Sequence, residues 1–212
     1  MASAFARTKE ARMDSTVQRK LIEEVANVVI RHADELTTLD QAIGDGDHGL
    51  NMKRGATAIL ERLDDLAAKP LPDALKTAGQ TLVMKVGGAS GPLYGTLLMT
   101  LGKELPNVPN QDDLVRAMGA AIQAVKKIGR SDIGQKTMLD VLGPVHEELA
   151  LGGPELIDRV RQRGAQAADA TVPMKATKGR ASFLGERSIG HMDPGARSAS
   201  LMIGAVCSVM EE

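Results

Sequence analysis

The chain has 212 residues, a formal net charge of −1 and a single cysteine, Cys207. This length suits one domain, residues 1–212, burying about 70% of its unfolded surface; the near-zero charge argues against a general nucleic-acid binder, and a lone cysteine excludes an internal disulfide and suits a reducing cytoplasm. With no Trp, only Tyr94, and only Phe5 and Phe183 among phenylalanines, the core must be Leu, Val, Ile, Ala and eleven Met, a composition that favours helices packed closely on helices.

The N-terminal segment, with Arg7, Lys9, Glu10 and Arg12, has no apolar signal-peptide core. The spacing of apolar residues then predicts about eight helices. The first spans about residues 14–36, with Leu21, Val25, Val28, His32 and Leu36 on one stripe; His32 is a boundary residue of that stripe. The second begins after an Asp/Gly-rich stretch and continues through Met52, Ala56, Ile59 and Leu63. Pro72, a good first-turn residue, opens the third, with Leu75, Ala78, Leu82 and Val86. The fourth carries Leu97, Leu98 and Leu101. Asn110 caps the fifth, which ends at Gly129. The sixth covers about residues 135–149 and the seventh about 154–170, while the eighth opens with Asp193 as N-cap and Pro194 in the first turn. Cys207 lies in that last apolar stretch, as a buried thiol. Strict alternation is absent, so the fold class is all-α. The uncharged run over residues 86–102 is broken by five glycines and Pro92 and is no membrane span.

Leu39-Asp40-Gln41-Ala42-Ile43-Gly44-Asp45-Gly46-Asp47-His48-Gly49-Leu50-Asn51 places three carboxylates within eight residues. Such a cluster repels itself unless a cation sits among the oxygens, and all-oxygen ligation is what Mg2+ and Ca2+ require. A solvated turn is the bland alternative, but three aspartates and a histidine exceed what a turn needs. An EF-hand beginning at Asp45 fails, because its sixth and twelfth positions are Leu50 and Ala56. Gly44-x-Gly46-x-x-Gly49 matches the dinucleotide fingerprint but follows helical rather than strand spacing, and bare aspartates would repel a pyrophosphate. Metal-mediated nucleotide binding reconciles the aspartates with a phosphate ligand.

If neighbouring helices are antiparallel, the first, third, fifth and seventh connections emerge at one end. These four are the most chemically loaded segments: the Asp stretch; Gly87-Gly88-Ala89-Ser90-Gly91-Pro92; residues 129–137; and residues 178–195. The second of them offers backbone amides and a serine at a helix start, an anion site, or else an ordinary tight turn. Gly129-x-x-x-x-Gly134 misses a Walker motif, because Gln135 intervenes before Lys136-Thr137 and the segment follows a helix. Arg180, Arg187 and His191 stand among glycines before Asp193, where they could meet phosphate or simply be solvated.

Taken together, these stretches resemble one family: the ADP-binding L subunit of bacterial dihydroxyacetone kinase and the homologous domain of single-chain kinases. The resemblance rests on Leu39-Asp40-x-x-Ile43-Gly44-Asp45-Gly46-Asp47-His48-Gly49, on residues 86–96, on Lys136-Thr137-Met138-Leu139-Asp140, and on the run from Gly179-Arg180 through Arg187 to Asp193-Pro194-Gly195-Ala196. It implies a closed barrel of eight antiparallel helices with the nucleotide at one end. It further implies that Asp40, Asp45 and Asp47 hold two Mg2+ ions bridging to ADP or ATP. Around the nucleotide it places His48, Gly49, Leu50, Asn51, Ala89, Ser90, Gly129, Met138, Arg180, Asp193, Pro194 and Gly195. Arg180 and Arg187 are its candidates for a catalytic role. Gln135 departs from the family pattern, which has an acidic residue there.

What the resemblance implies for function is a phosphotransferase subunit acting with a separate dihydroxyacetone-binding K subunit. ADP would be rephosphorylated in place by a phosphoenolpyruvate-dependent phosphotransferase-system protein. Charge balance agrees: three carboxylates and ADP total about −6, and two Mg2+ leave about −2 for an arginine and helix N-termini to offset. An ATP-dependent kinase of dihydroxyacetone, erythrulose or a similar short ketose is the alternative within the class. A nucleotide-sensing partner of a transcriptional regulator and a dinuclear Mg2+ hydrolase are alternatives outside it. A homodimer is the expected assembly, with neither nucleic acid nor membrane as a partner.

Overall fold

The structure, a computed structural model, describes residues 14–211; the expectation for the N-terminal segment falls outside them. Among the described residues there are ten α-helices, one 3-10 helix and no strand. The helices are α1 (Ser15–Arg31), α2 (Ala33–Ile43), α3 (His48–Leu60), α4 (Leu63–Ala68), α5 (Leu71–Lys85), α6 (Ser90–Glu104), α7 (Gln111–Gly129), α8 (Leu139–Leu151), α9 (Leu156–Asp169) and α10 (Pro194–Met210). The 3-10 segment, Arg180–Ser188, lies in the connection between α9 and α10 and is called the strap below.

The eight expected helices are present, and the differences have local causes. The first does not end near Leu36. It breaks at His32 alone (φ −101°, ψ 13°) and resumes as α2, because Leu36, Asp40 and Ile43 continue a buried stripe. Asp40 therefore stands on a helix rather than in a loop. Leu63 is not on α3 but on the separate α4, which the buried Gln18 of α1 anchors by donating from Nε2 to the carbonyls of Leu66 (2.8 Å) and Lys69 (3.0 Å). The sixth helix starts at Leu139, four residues late. The Asp140 carboxylate accepts from the amides of Gly134 (2.5 Å) and Thr137 (2.7 Å), which holds the preceding residues in a capped loop. At the end of α7, Arg130 rather than a glycine takes the left-handed conformation (φ 47°). The expected caps are in place: Asn110 and Asp113 form a reciprocal capping box on α7, and Asp193 accepts from Ala196 N at 2.7 Å on α10.

Each long helix packs on its chain neighbour, α1 on α3, α3 on α5, and so on through α9 on α10, and α10 packs back on α1. The enclosed core is aliphatic, with Val29, Met52, Val125, Leu139, Val141 and Val145 among its buried members. Helices α5 and α6 approach closely through small residues: a Cβ on Gly79 would lie 2.7 Å from the Gly95 carbonyl oxygen. Cys207 is buried on α10, and burial raises its thiol pKa. None of the helices among the described residues is long and apolar enough to cross a membrane.

Candidate metal and nucleotide site

Asp40, Asp45 and Asp47 converge: one carboxylate oxygen from each lies within 4.8 Å of the others. The local sequence explains how. Asp40 sits in the last turn of α2, and its Oδ2 accepts from the backbone amides of Asp47 (2.8 Å) and His48 (3.0 Å), folding the loop 44–47 back over the helix end. Gly44 leaves the helix at φ −137°, ψ −139°, and a Cβ there would lie 2.0 Å from Asp40 Oδ1. Glycine at this position is thus what lets Asp40 point into the cluster. Gly46 makes the turn at φ 74°, inside the left-handed region. Hard oxygen donors from three acidic side chains fit a divalent cation such as Mg2+.

The other connections close around this loop. His48, buried in the first turn of α3, has Nδ1 3.0 Å from Ser90 Oγ at the start of α6 and Nε2 3.0 Å from Ser198 Oγ on α10. Burial lowers its pKa, against the opposing pull of the Asp40 and Asp47 charges, so the ring is held neutral. Ser198 in turn meets the hydroxyl of the buried Tyr94 at 2.8 Å, and that hydroxyl donates to Gly195 O at 3.1 Å. Gly88 approaches Asp47, since a Cβ on it would lie 4.0 Å from both carboxylate oxygens. From the strap, Arg180 Nη2 lies 3.0 Å from Asp45 Oδ2. The third connection reaches the fourth: a Cβ on Gly195 would stand 3.5 Å from Met138 N, and Lys136 Nζ donates to three carbonyls of the strap and its approach.

The sequence-derived residues divide by surroundings. Asp45, Asp47 and Arg180 are accessible at the cluster, and Leu50 is 58% exposed in the first turn of α3. Ala89 is the uncapped N-terminus of α6, with no side chain accepting from that helix's first amides. Asn51 is buried against Gly87, and Gly49 is pressed on the Ala33 carbonyl, where a Cβ would be 1.9 Å away. Met138, Asp193 and Pro194 are each buried. Burial pushes the Asp193 carboxyl up to about 7, with the Asp140 charge adding to that and the Ala196 amide and Lys136 opposing it. Gly129 ends α7 near Leu93 and Ser131. Arg187 is exposed on the strap and makes no ion pair among the described residues, so the two arginines are not brought to the aspartates together. Tyr94, Ser198 and Lys136 are the members that sequence reading passed over. Tyr94 carried a signal, as a lone tyrosine in an apolar glycine-rich run whose buried hydroxyl needs a partner.

The DAK2 domain model matches residues 42–208. The chain is 46% identical over 172 residues to the ADP-binding subunit DhaL of PEP-dependent dihydroxyacetone kinase 1 of Listeria innocua, covering 81% of this chain and 84% of that protein. It is 40% identical over 185 residues to the corresponding DhaL subunit of Escherichia coli, covering 84% and 88%. The crystal structure of the dihydroxyacetone kinase of C. freundii in complex with AMP-PNP and Mg2+ superposes with a TM-score of 0.76 at 24% identity, covering 98% of this chain and 37% of that one. At that identity the superposition speaks for the fold. On the extent of the domain match and the identity to the DhaL subunits, this chain belongs to the DAK2 domain family.

Proposed function

We propose that this chain is the ADP-binding, phosphoryl-transferring subunit of a dihydroxyacetone kinase. The observation that carries the reading is the aspartate cluster, with oxygens within 4.8 Å and Asp40 locked by two amides. Carboxylates this close repel one another, so the arrangement favours a cation between them and, through it, an anionic ligand. Asp40, Asp45 and Asp47 would hold two Mg2+ ions, which when bound neutralise the diphosphate and the charge on the phosphoryl group in transfer.

What the chain itself supplies is positioning. The uncapped amides at the start of α6, beside Ala89 and Ser90, favour negative charge. His48, held neutral, fixes Ser90 without adding a cation. Arg180 stands at the cluster ready to meet phosphate oxygens, while His48–Asn51, Gly129, Met138 and Asp193–Gly195 frame the nucleotide. The mechanism assigns no protein nucleophile, since phosphoryl transfer needs alignment and charge neutralisation more than covalent help.

The ketose is held by a separate dihydroxyacetone-binding K subunit, and the donor is a phosphoenolpyruvate-dependent phosphotransferase protein that recharges ADP in place. The names of the DhaL relatives, PEP-dependent in both bacteria, support this over ATP exchange. The chain works in the cytoplasm, as a homodimer. Replacing Asp45 with Asn tests the site: retained ADP is lost while the far-ultraviolet circular dichroism is unchanged. Full ADP retention in folded D45N contradicts the metal bridge. Reconstitution with K subunit and charged donor, without added ATP, tests the donor; a requirement for exchanging ATP favours the ATP-dependent kinase instead.

A further inference from the structure

Lys136 is the most deeply buried charged side chain described, with 1% of its surface exposed, and its backbone is held in the left-handed region at φ 62°. Both features are costly for a lysine: an ammonium loses its hydration on burial, and a side chain with a Cβ is strained at positive φ. Its Nζ donates to Ser188 O at 2.6 Å, Met174 O at 2.9 Å and Val172 O at 3.5 Å. These carbonyls flank one loop whose ends are also tied by Gly190 N to Val172 O (2.9 Å) and by Ala176 N to Ser188 Oγ (2.9 Å). Lys136 comes from a different connection, so its ammonium is a plug reaching into that loop from outside. The strap and its approach are also anchored by a small apolar cluster of Ile43, Ala176, Ala181 and Leu184 and by Thr177 N donating to Gln135 O at 3.4 Å.

We infer that Lys136 is a positioning residue: by tying the strap's C-terminal end at Ser188 to the Val172 and Met174 carbonyls that precede the strap, it sets where the strap presents Arg180 to Asp45. Arg180 is itself 68% exposed and is not fixed by packing of its own side chain, so its place at 3.0 Å from Asp45 depends on the strap backbone. The inference rests on the nucleotide-binding reading for its affinity consequence, and on the geometry alone for its effect on the strap.

The test uses the full chain with K136M, which keeps an unbranched side chain one atom shorter and removes the ammonium, and K136R, which keeps the charge. The expected result is a K136M protein with wild-type circular dichroism that trypsin cuts faster within the strap. Its Mg-ADP Kd by calorimetry is weakened on the order of ten- to a hundredfold, the range for groups that orient a ligand from behind. A cycle with R180A shows the route: K136M costs little more in the R180A background, because the two act in series. Wild-type trypsin resistance and affinity in K136M overturn the inference, as do fully additive losses in the double variant. Failure of both K136M and K136R to fold also overturns it, since Lys136 then supports the whole bundle. If the wild-type chain binds no Mg-ADP, the functional reading fails instead, and the trypsin comparison still decides the role of Lys136.

Discussion

Asp40 illustrates how much of the candidate site is set by single contacts. Its carboxylate accepts from two amides, and its Oδ1 occupies the space that a Cβ on Gly44 would need, 2.0 Å away. Gly44→Ala is expected to displace Asp40 and to weaken Mg-dependent ADP binding roughly tenfold or more, with helix content intact; calorimetry with wild-type affinity in that variant would count against the geometry. His48 gives a pH dependence whose sign follows from its lowered pKa. At His48 the folded state binds a proton less readily than the unfolded chain, so this residue's contribution to stability is full above the ordinary histidine value of 6.5 and falls as pH drops below it, opposite in sign to that of the raised Asp193. In magnesium-free buffer, His48→Gln is expected to flatten the decline of denaturation midpoint between pH 7 and 5. Of these residues the sequence displayed the aspartates plainly, since clustered carboxylates have few other uses. Lys136 was legible only as a failed Walker lysine, because its partners lie 36 to 52 residues away and are backbone carbonyls.

At the scale of elements, apolar stripes and caps carried most of the information. Asn110, Asp193 and Pro194 marked their helix starts correctly because capping depends on neighbours within three residues. The break at His32, the late start of α8 and the strap were not visible, since each depends on contacts from distant segments or on a local backbone choice with no composition signal. The α5–α6 contact depends on small residues at a close approach, which spacing alone does not reveal. Gly79→Ala would press a methyl against the Gly95 carbonyl at 2.7 Å and against Met99 N at 3.0 Å. Overpacking of this kind is expected to cost about 1–3 kcal/mol in urea denaturation, with Mg-ADP affinity retained in the folded protein. An unchanged midpoint would mean that the two helices part freely.

The whole molecule is a set of long helices, each packed on the next and the last on the first. The contacts of His48 with Ser90, of Arg180 with Asp45 and of Lys136 with Ser188 join the four chemically loaded connections in the folded chain. A nearly neutral protein can thereby concentrate three carboxylates at one end without being acidic overall. The central claim is that metal and nucleotide are held at that end as one unit. The measurement that tests it most directly is to purify the chain without added nucleotide, denature it and quantify the released ADP, before and after treatment with a chelator. Near-stoichiometric ADP that is lost together with Mg2+ is the predicted result; nucleotide that stays bound after the metal is stripped would contradict it.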